Sequence, residues 1–214
     1  MRQKYKDLPF DQRGGVLVEA AVMIPIIFVF VLGAVDFLFA FYQWNAATKA
    51  VQLGARIAAV SNPVASDVSA ITGLGGGVNP GDPMTVGAFL TRTCFGATAS
   101  CTNGTYSAAA MTTIVRGRGS NACGDATSVY FAGMCDVFAR VREENVVISY
   151  SATGLGYAGR VGGPVPTITV SLQNLPFQFF FLNALMGFGN INIPSMTTTI
   201  TGEDLSSNAY PPLP

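Results

Sequence analysis

The segment from Ala20 to Tyr42 is apolar over almost its whole length and constrains the fold of this chain more than any other feature. It lies within "RGGVLVEAAVMIPIIFVFVLGAVDFLFAFYQW", which runs from Arg13 to Trp44. A helix needs about 20 consecutive apolar residues to cross a bilayer, and this segment exceeds that length. It is not followed by a small-residue A-x-A cleavage signature, so the sequence predicts a lasting membrane anchor rather than a removed secretory signal.

Basic residues in front of the apolar segment indicate its orientation. The cations that precede Gly15 are Arg2, Lys4, Lys6 and Arg13. Beyond Trp44 the next cation is the isolated Lys49. Because Lys and Arg tend to stay on the cytoplasmic side, we expect a single-pass protein with a cytoplasmic N-terminus and a periplasmic or extracellular C-terminal part.

Composition argues against several classes of function. Charged residues make up 11% of the chain and the formal net charge is zero, so no nucleic-acid partner is expected. The chain has no histidine, which removes the commonest general base and the commonest metal ligand. We therefore expect no enzyme, no metal and no cofactor. A membrane-bound hydrolase in which Lys49 activates a serine is an alternative, but no positioned partner is visible.

Four cysteines follow the anchor, at Cys94, Cys101, Cys123 and Cys135. In an extracytoplasmic region an even number favours disulfides, and the short spacings favour Cys94 with Cys101 and Cys123 with Cys135 among the three possible pairings. A zinc site is the weaker alternative, because neither spacing is C-x-x-C and no histidine can complete the ligand set.

The helix of the anchor is expected to continue beyond the membrane. In "NAATKAVQLGARIAAV" polar residues recur at steps of three and four, opposite a side of small and apolar residues, which predicts an amphipathic helix to about Ala59. Ser61, Asn62 and Pro63 then favour a helix end. The small residues would allow either another helix or the chain's own globular part to approach closely; they are Ala46, Ala47, Ala50, Gly54 and Ala58.

The sequence after residue 60 predicts a head of the α+β class. Loop is expected from Pro63 to about Gly87, and short helices at about 85–93, 107–115 and 127–144. "NVVISYSATGLGYAG" and "VPTITVSLQN" predict two strands of an antiparallel hairpin, and "TTTITG" a third, short strand. The expected fold class is α+β, with a long N-terminal helix and an extracytoplasmic head containing short helices and a small antiparallel sheet. The expected divisions are a leader at 1–14, the helix at 15–60 and the head at 61–214.

A second apolar stretch, "LPFQFFFLNALMGFG", runs from Leu175 to Gly189. It is too short to cross a membrane, so we expect a core helix, with an interfacial segment as the alternative. Three consecutive phenylalanines cannot all lie on one side of a helix. An exposed aromatic patch for a partner or a bilayer surface is therefore also considered.

Two carboxylates in the anchor need an explanation, because an ionised Asp at the centre of a membrane helix costs roughly 2.5 to 3.5 kcal/mol on insertion scales. Glu19 lies at the entrance of the apolar segment, where the helix macrodipole alone would favour it. Asp36 lies deep inside. We interpret Asp36 as a polar contact with a partner helix or subunit, or else as a carboxylate near the outer interface that is locally solvated or protonated.

The entrance of the segment carries a recognisable pattern. "RGGVLVEAA" places a cation, then glycine, then four uncharged residues before Glu19. This resembles the cleavage site of type IV prepilins, in which a membrane peptidase cuts after glycine and glutamate becomes the fifth mature residue. A cut after Gly14 makes Gly15 the first residue and Glu19 the fifth.

Within that superfamily the chain resembles the TadE-like pseudopilins of tight-adherence (Flp) pilus machines. The resemblance rests on "GGVLVEAAVMIP", on "VDFLFAFY" and on "GARIAAV", and it covers Arg13 to about Val60. It departs from Flp-type sites at Ala20, where an aromatic residue usually follows the glutamate. The chain is also much longer than a major Flp pilin, which favours a minor subunit.

The resemblance implies a structural subunit of the bacterial inner membrane, cut between Gly14 and Gly15 by a prepilin peptidase. Its implied partners are other pilin or pseudopilin subunits and the inner-membrane assembly platform, with Glu19 and Asp36 serving assembly. The new amine, with an ordinary pKa of about 7.7 to 8.0, would lie close to the carboxylate of Glu19 or of a neighbouring copy's Glu19. The alternative is a membrane-tethered binding or adhesive domain whose helix is only an anchor.

Overall fold

The computed structural model describes residues 13–119, 122–124, 131–187 and 191–207, and for residues 13, 14, 185 and 186 it describes the backbone alone. The chain forms two compact units. We call Met1–Phe41 with Gln178–Asn190 the span unit, and Tyr42–Phe177 with Ile191–Pro214 the head unit. The head unit thus includes the last part of the N-terminal helix, whereas the predicted division at residue 60 follows the end of that helix.

A single helix, α1, runs over Arg13–Ala59 and continues through Pro25. The apolar segment and the amphipathic segment therefore form one helix, as predicted. The polar residues of the amphipathic part are exposed; they are Asn45, Lys49, Gln52 and Arg56. One stripe of α1 is covered at steps of three and four residues, which is the pattern of a helix with one packed face. In the span unit this stripe comprises Val29, Leu32, Gly33, Asp36, Phe39 and Ala40; in the head unit the covered residues include Gln43, Ala47, Ala50, Gly54 and Ala58.

The head unit contains an antiparallel five-stranded sheet. Its strands are β1 (Arg92–Phe95), β2 (Ser100–Cys101), β3 (Val146–Ser151), β4 (Thr167–Leu172) and β5 (Met196–Thr201), in the order β2-β1-β3-β4-β5. The predicted pairing of β3 with β4 is confirmed, with Ile148 opposite Val170. The predicted third strand is confirmed as β5, which pairs with β4. Strands β1 and β2 were not predicted.

Of the three helices predicted in the head, the second is confirmed. Helix α2 (Ala108–Arg116) agrees with the prediction at 107–115, and the Ser107 side chain accepts a hydrogen bond from the amide of Ala110 at its start. The predicted helix at 85–93 is wrong. Val86 instead forms a β-bridge with Thr153, and β1 begins at Arg92.

The predicted helix at 127–144 is also wrong in its described part. Residues 131–144 contain only α3 (Met134–Val137) and the start of a 3-10 turn at Glu143–Asn145, while residues 125–130 lie outside the described residues. The reason is a close backbone approach, since a Cβ atom on Gly133 would collide with the backbone of residues 115–117. Gly133 is extended there (φ −93°, ψ −177°), so a helix cannot pass through it.

The core of the head unit combines the end of α1 with one face of the sheet. The hydrophobic residues of α1 that are buried in this core are Ala46, Ala47, Ala50, Val51, Ala55, Ala58 and Ala59, and they share one hydrophobic cluster with Ile148, Tyr150, Ile168 and Val170. Gly54 faces the Met134 side chain so closely that a Cβ atom would collide with it. The small residues of the amphipathic part therefore pack within the chain's own head. Together these elements confirm the α+β class.

After the end of α1, the buried hydroxyl of Tyr150 holds the chain to the sheet. The Tyr150 hydroxyl accepts a hydrogen bond of 2.9 Å from the amide of Val64. Burial raises the pKa of Tyr150, so the phenol stays neutral and keeps this role at any ordinary pH.

Candidate functional site

The first turns of α1 expose the residues of the predicted cleavage pattern. Helix α1 begins at Arg13, and the side chains from Gly15 to Glu19 are exposed. Gly15 and Glu19 are four residues apart and therefore lie one turn apart on the same side of the helix. A Cβ atom on Gly15 would meet no neighbour. The structure thus brings Gly15 and Glu19 to one exposed face.

The apolar part of α1 is exposed on most of its circumference. Large apolar side chains such as Phe30, Phe37 and Phe41 are exposed, and α1 is long and apolar enough from Gly15 to cross a membrane. An apolar surface of this extent is unfavourable in water and favourable in the hydrocarbon core of a bilayer. These features associate the chain with a membrane through one N-terminal helix.

Asp36 is fully buried, and its partners lie within the span unit. Its Oδ1 accepts a hydrogen bond of 3.0 Å from the amide of Phe180, and its Oδ2 accepts bonds of 2.8 and 2.7 Å from the amides of Phe181 and Leu182. These three N–H groups open helix α4 (Phe181–Met186), where no preceding carbonyl can accept from them. The carboxylate therefore acts as the cap of α4.

Apolar contacts accompany this cap. The rings of Phe39 and Phe180 lie with their centroids 5.0 Å apart, at an interplanar angle of 48°. A Cβ atom on Gly33 would lie 3.7 Å from Cδ2 of Leu182, so the glycine leaves the α4 side chain in close proximity to α1. Gly33, Asp36 and Phe39 belong to the covered stripe of α1. We call Gln178–Gly187, the chain segment seated on this stripe, the Phe-rich segment.

The structure thus gives Asp36 a partner in its own chain. The proposed contact of Asp36 with another subunit stays a prediction. The expected core helix at 175–189 is corrected: among the described side chains of this stretch only Leu175 is buried in the head core, with Phe177 packed against it, and the helix of its described part is α4 in the span unit. The physical reason is that the chain passes from the head unit to the span unit after Phe177. The apolar residues that follow therefore pack on α1 instead of in the head core.

Sequence reasoning missed the cap because it joins positions far apart in the chain. Two signals existed. The residues directly before Phe181 are phenylalanines, which cannot cap a helix, so a helix there requires an acceptor from elsewhere. Asp36, in turn, is a carboxylate in an apolar segment and requires donors.

Where the head unit begins on α1, a second polar pair was missed. Gln43 is buried, and its Oε1 accepts a hydrogen bond of 2.9 Å from Nη1 of Arg140. Burial lowers the pKa of Arg140 from its ordinary value, although a guanidinium stays protonated in proteins. The pair fixes the α3–β3 connection to α1 one residue after the apolar segment ends.

The cysteines form the two bridges that their spacing favours, Cys94–Cys101 and Cys123–Cys135. Cys94 and Cys101 are directly opposite one another on β1 and β2, so the first bridge closes the edge of the sheet. In the part of the chain that is described, no group of three or more His, Cys, Asp or Glu side chains is arranged to hold a metal ion.

We expect loss of the first bridge to weaken the head measurably. For a sequence separation of 7 residues, the chain-entropy model predicts that removing the bridge lowers the free energy of unfolding by about 2.5 kcal/mol. The change is Cys94→Ala with Cys101→Ala in the full chain in detergent, measured by denaturant unfolding followed by the near-ultraviolet signal. Ser100→Ala, an exposed neighbour on β2, is the control. An unchanged midpoint in the double variant would contradict the expectation.

Comparison with known proteins identifies the first part of the chain. Residues 14–56 match the family described as TadE-like protein, which confirms the resemblance seen in the sequence. The matched segment contains Gly14, Glu19 and Asp36 and ends close to the C-terminus of α1. Searches among curated proteins and among solved structures found no match. Residues 14–56 are thus similar to the TadE-like family, which suggests involvement in a Tad pilus system, and the apolar helix in this segment is long enough to cross a membrane.

Proposed function

We propose that this protein is a minor pseudopilin, a membrane-embedded structural subunit that takes part in assembly of a tight-adherence (Flp) pilus. It resides in the bacterial inner membrane with a cytoplasmic N-terminus, and a prepilin peptidase cuts it between Gly14 and Gly15. Its partners are other pilin or pseudopilin subunits and the assembly platform. The observation that carries the proposal is the TadE-like match, which begins at the proposed cleavage position and includes the glutamate.

The exposure of the first turns supports processing. The side chains from Gly15 to Glu19 are uncovered, so a peptidase meets no packed structure after the scissile bond. Removal of residues 1–14 takes away the four cations that precede Gly15 and with them most of the charge that holds the N-terminus in the cytoplasm. The mature subunit keeps an uninterrupted apolar helix with one carboxylate near its start.

The spacing of the new amine and Glu19 supports an assembly role. Cleavage creates an α-amino group with an ordinary pKa of about 7.7 to 8.0, one helical turn from Glu19 or facing a neighbouring copy's Glu19. An ammonium and a carboxylate that lie within hydrocarbon are both costly unless they pair. Pairing between copies would therefore align subunits at one depth in the membrane.

The test of processing is the N-terminal residue of the protein recovered from membranes of cells that contain the cognate peptidase. We expect the mature chain to begin at Gly15. Gly14→Leu should abolish cleavage, because the peptidase must accommodate the backbone closely at this position and a branched side chain prevents it. Intact mass and N-terminal sequencing give the readout.

The matched control is Val16→Leu, which changes an exposed residue two positions after the cut and should be processed normally. Gly54→Leu would not serve as a control, because Gly54 packs against Met134 in the head core. Recovery of wild-type protein that still begins at Met1 in the presence of an active peptidase would contradict the proposal. It would favour the tethered binding domain.

A further inference from the structure

We propose that the Phe-rich segment, Gln178–Gly187, enters the membrane leaflet on the head side, and that phospholipid acyl chains cover its exposed aromatic rings. The proposal requires that α1 spans a bilayer, and it does not depend on the pseudopilin role. It assigns the chain a second membrane contact besides α1, at the stretch for which the sequence left core helix, interfacial segment and aromatic patch open.

The position of Asp36 along α1 sets the depth of the segment. The apolar stretch ends at Tyr42, and Asp36 precedes it by about six residues, or roughly 9 Å of helix axis at ~1.5 Å per residue. Half of a hydrocarbon core is about 15 Å, so a group attached at Asp36 lies inside the nearer leaflet. Because three consecutive amides of the Phe-rich segment bond to Asp36, the segment is held at that depth.

The amides at the start and at the end of α4 have acceptors within the protein. Amides without partners are very unfavourable in hydrocarbon, and the first amides of a helix have no acceptor within it. At the start of α4 the carboxylate of Asp36 accepts from Phe180, Phe181 and Leu182, while the amide of Gly187 at its end bonds to the carbonyl of Asn183. The carboxylate of Asp36 thus satisfies these amides without water, as surroundings of hydrocarbon require.

The side chains of the segment fit a shallow position in the leaflet. Phe180 and Phe181 are 59% and 41% exposed, which is unfavourable in water but favourable against acyl chains. Gln178 and Asn183 are exposed and polar, so the segment belongs near the boundary between acyl chains and head groups rather than at the midplane. This composition agrees with the depth set by Asp36.

The head unit holds the two ends of the segment together. The amide of Phe177 donates to the carbonyl of Ile191 at 2.7 Å, and the amide of Ile193 donates to the carbonyl of Leu175 at 2.6 Å. The chain therefore leaves the head and returns to it at one place. The head unit therefore fixes the chain on both sides of the Phe-rich segment.

Tryptophan fluorescence provides a direct test, because the chain contains a single tryptophan, Trp44. In a Trp44→Phe background, Phe180→Trp places the only fluorophore on the Phe-rich segment, and Phe181→Trp is a second, independent probe. The full chain is reconstituted at low density in phosphatidylcholine vesicles that carry bromine at a shallow, intermediate or deep acyl position. Aqueous iodide measures access from water.

We expect bromine at the shallow and intermediate positions to remove roughly half of the tryptophan emission of both probes. Iodide should quench them several-fold less than it quenches a tryptophan at an exposed head position. Tyr157→Trp, at a head position that is 51% exposed, is the matched control and should respond to iodide alone. Strong iodide quenching without bromine quenching at residues 180 and 181 would overturn the proposal. Resistance to both quenchers would also overturn it, because a protein surface such as a second copy would then cover the rings.

Discussion

Glu19→Ala is expected to abolish surface pili while the protein still accumulates in the membrane. The helix gains apolar character when the carboxylate is removed, so membrane insertion should be unchanged or improved. Cleavage after Gly14 should continue, or fall only moderately. What the variant loses is the partner for the new α-amino group of Gly15, within one copy or between copies.

The experiment expresses each variant in a strain that lacks the native copy, and measures membrane amount, N-terminal processing and surface pili on the same cells. Glu19→Gln keeps the size of the side chain but not its charge, so it should fail as well if the ion pair matters. Glu144→Gln removes an exposed glutamate of the head and is the matched control, with normal pili expected. Normal piliation by Glu19→Ala would show that the carboxylate is merely tolerated.

Asp36→Leu is expected to detach the Phe-rich segment from α1. Three amides lose an ionised acceptor, and a hydrogen bond to a charged group contributes about 1.5 to 3 kcal/mol. The loss of even one such bond should speed local opening by at least about tenfold. Membrane insertion should persist, because leucine is favourable at this depth. The head should remain folded, because its core lies in the other unit.

Amide hydrogen exchange of the full chain in detergent micelles measures this release. Exchange should accelerate at Phe180, Phe181 and Leu182, while amides of β3 and β4 stay protected. Phe37→Leu, a change on the exposed side of α1 one residue along, is the matched control and should leave all of these rates alone. Unchanged exchange at the three amides in Asp36→Leu would mean that the segment is held by its apolar contacts without the carboxylate.

Pilus assembly by Asp36→Leu separates two roles of this carboxylate. If Asp36 serves assembly through another subunit, pili should be lost even where the Phe-rich segment keeps its protection. If Asp36 serves assembly through the Phe-rich segment, loss of pili and faster amide exchange of the segment should occur together. Normal pili with a released segment would leave Asp36 a role in this chain alone.

The parts of the fold that follow from local pattern were predictable. Helix α1 is specified by a long apolar run and an uninterrupted helical period as far as Ala59. Strands β3, β4 and β5 alternate and are rich in β-branched residues, and helix α2 begins at a serine cap. The cysteine pairs are close in sequence, so their spacing favours one pairing.

The parts that depend on distant contacts were not predictable. Strand β2 has only two residues and owes its place to the bridge from Cys101 to Cys94. The chain near Gly133 looks helical by period but is extended because it lies against the backbone of Gly117. The cap on α4 joins residues that are almost 150 positions apart. In each case a tertiary contact overrides the local preference.

The shared use of α1 has a consequence for how this protein can be released or produced. Its last turns carry the alanines that fill the head core, and no linker lies between the apolar part and those turns. A protease that severs the chain after residue 59 frees a fragment without the centre of its core, and a secreted fragment that begins at residue 61 has the same defect. A soluble head must retain the helix from about Tyr42 onward, so shedding of an intact head requires a cut no later than the end of the apolar segment.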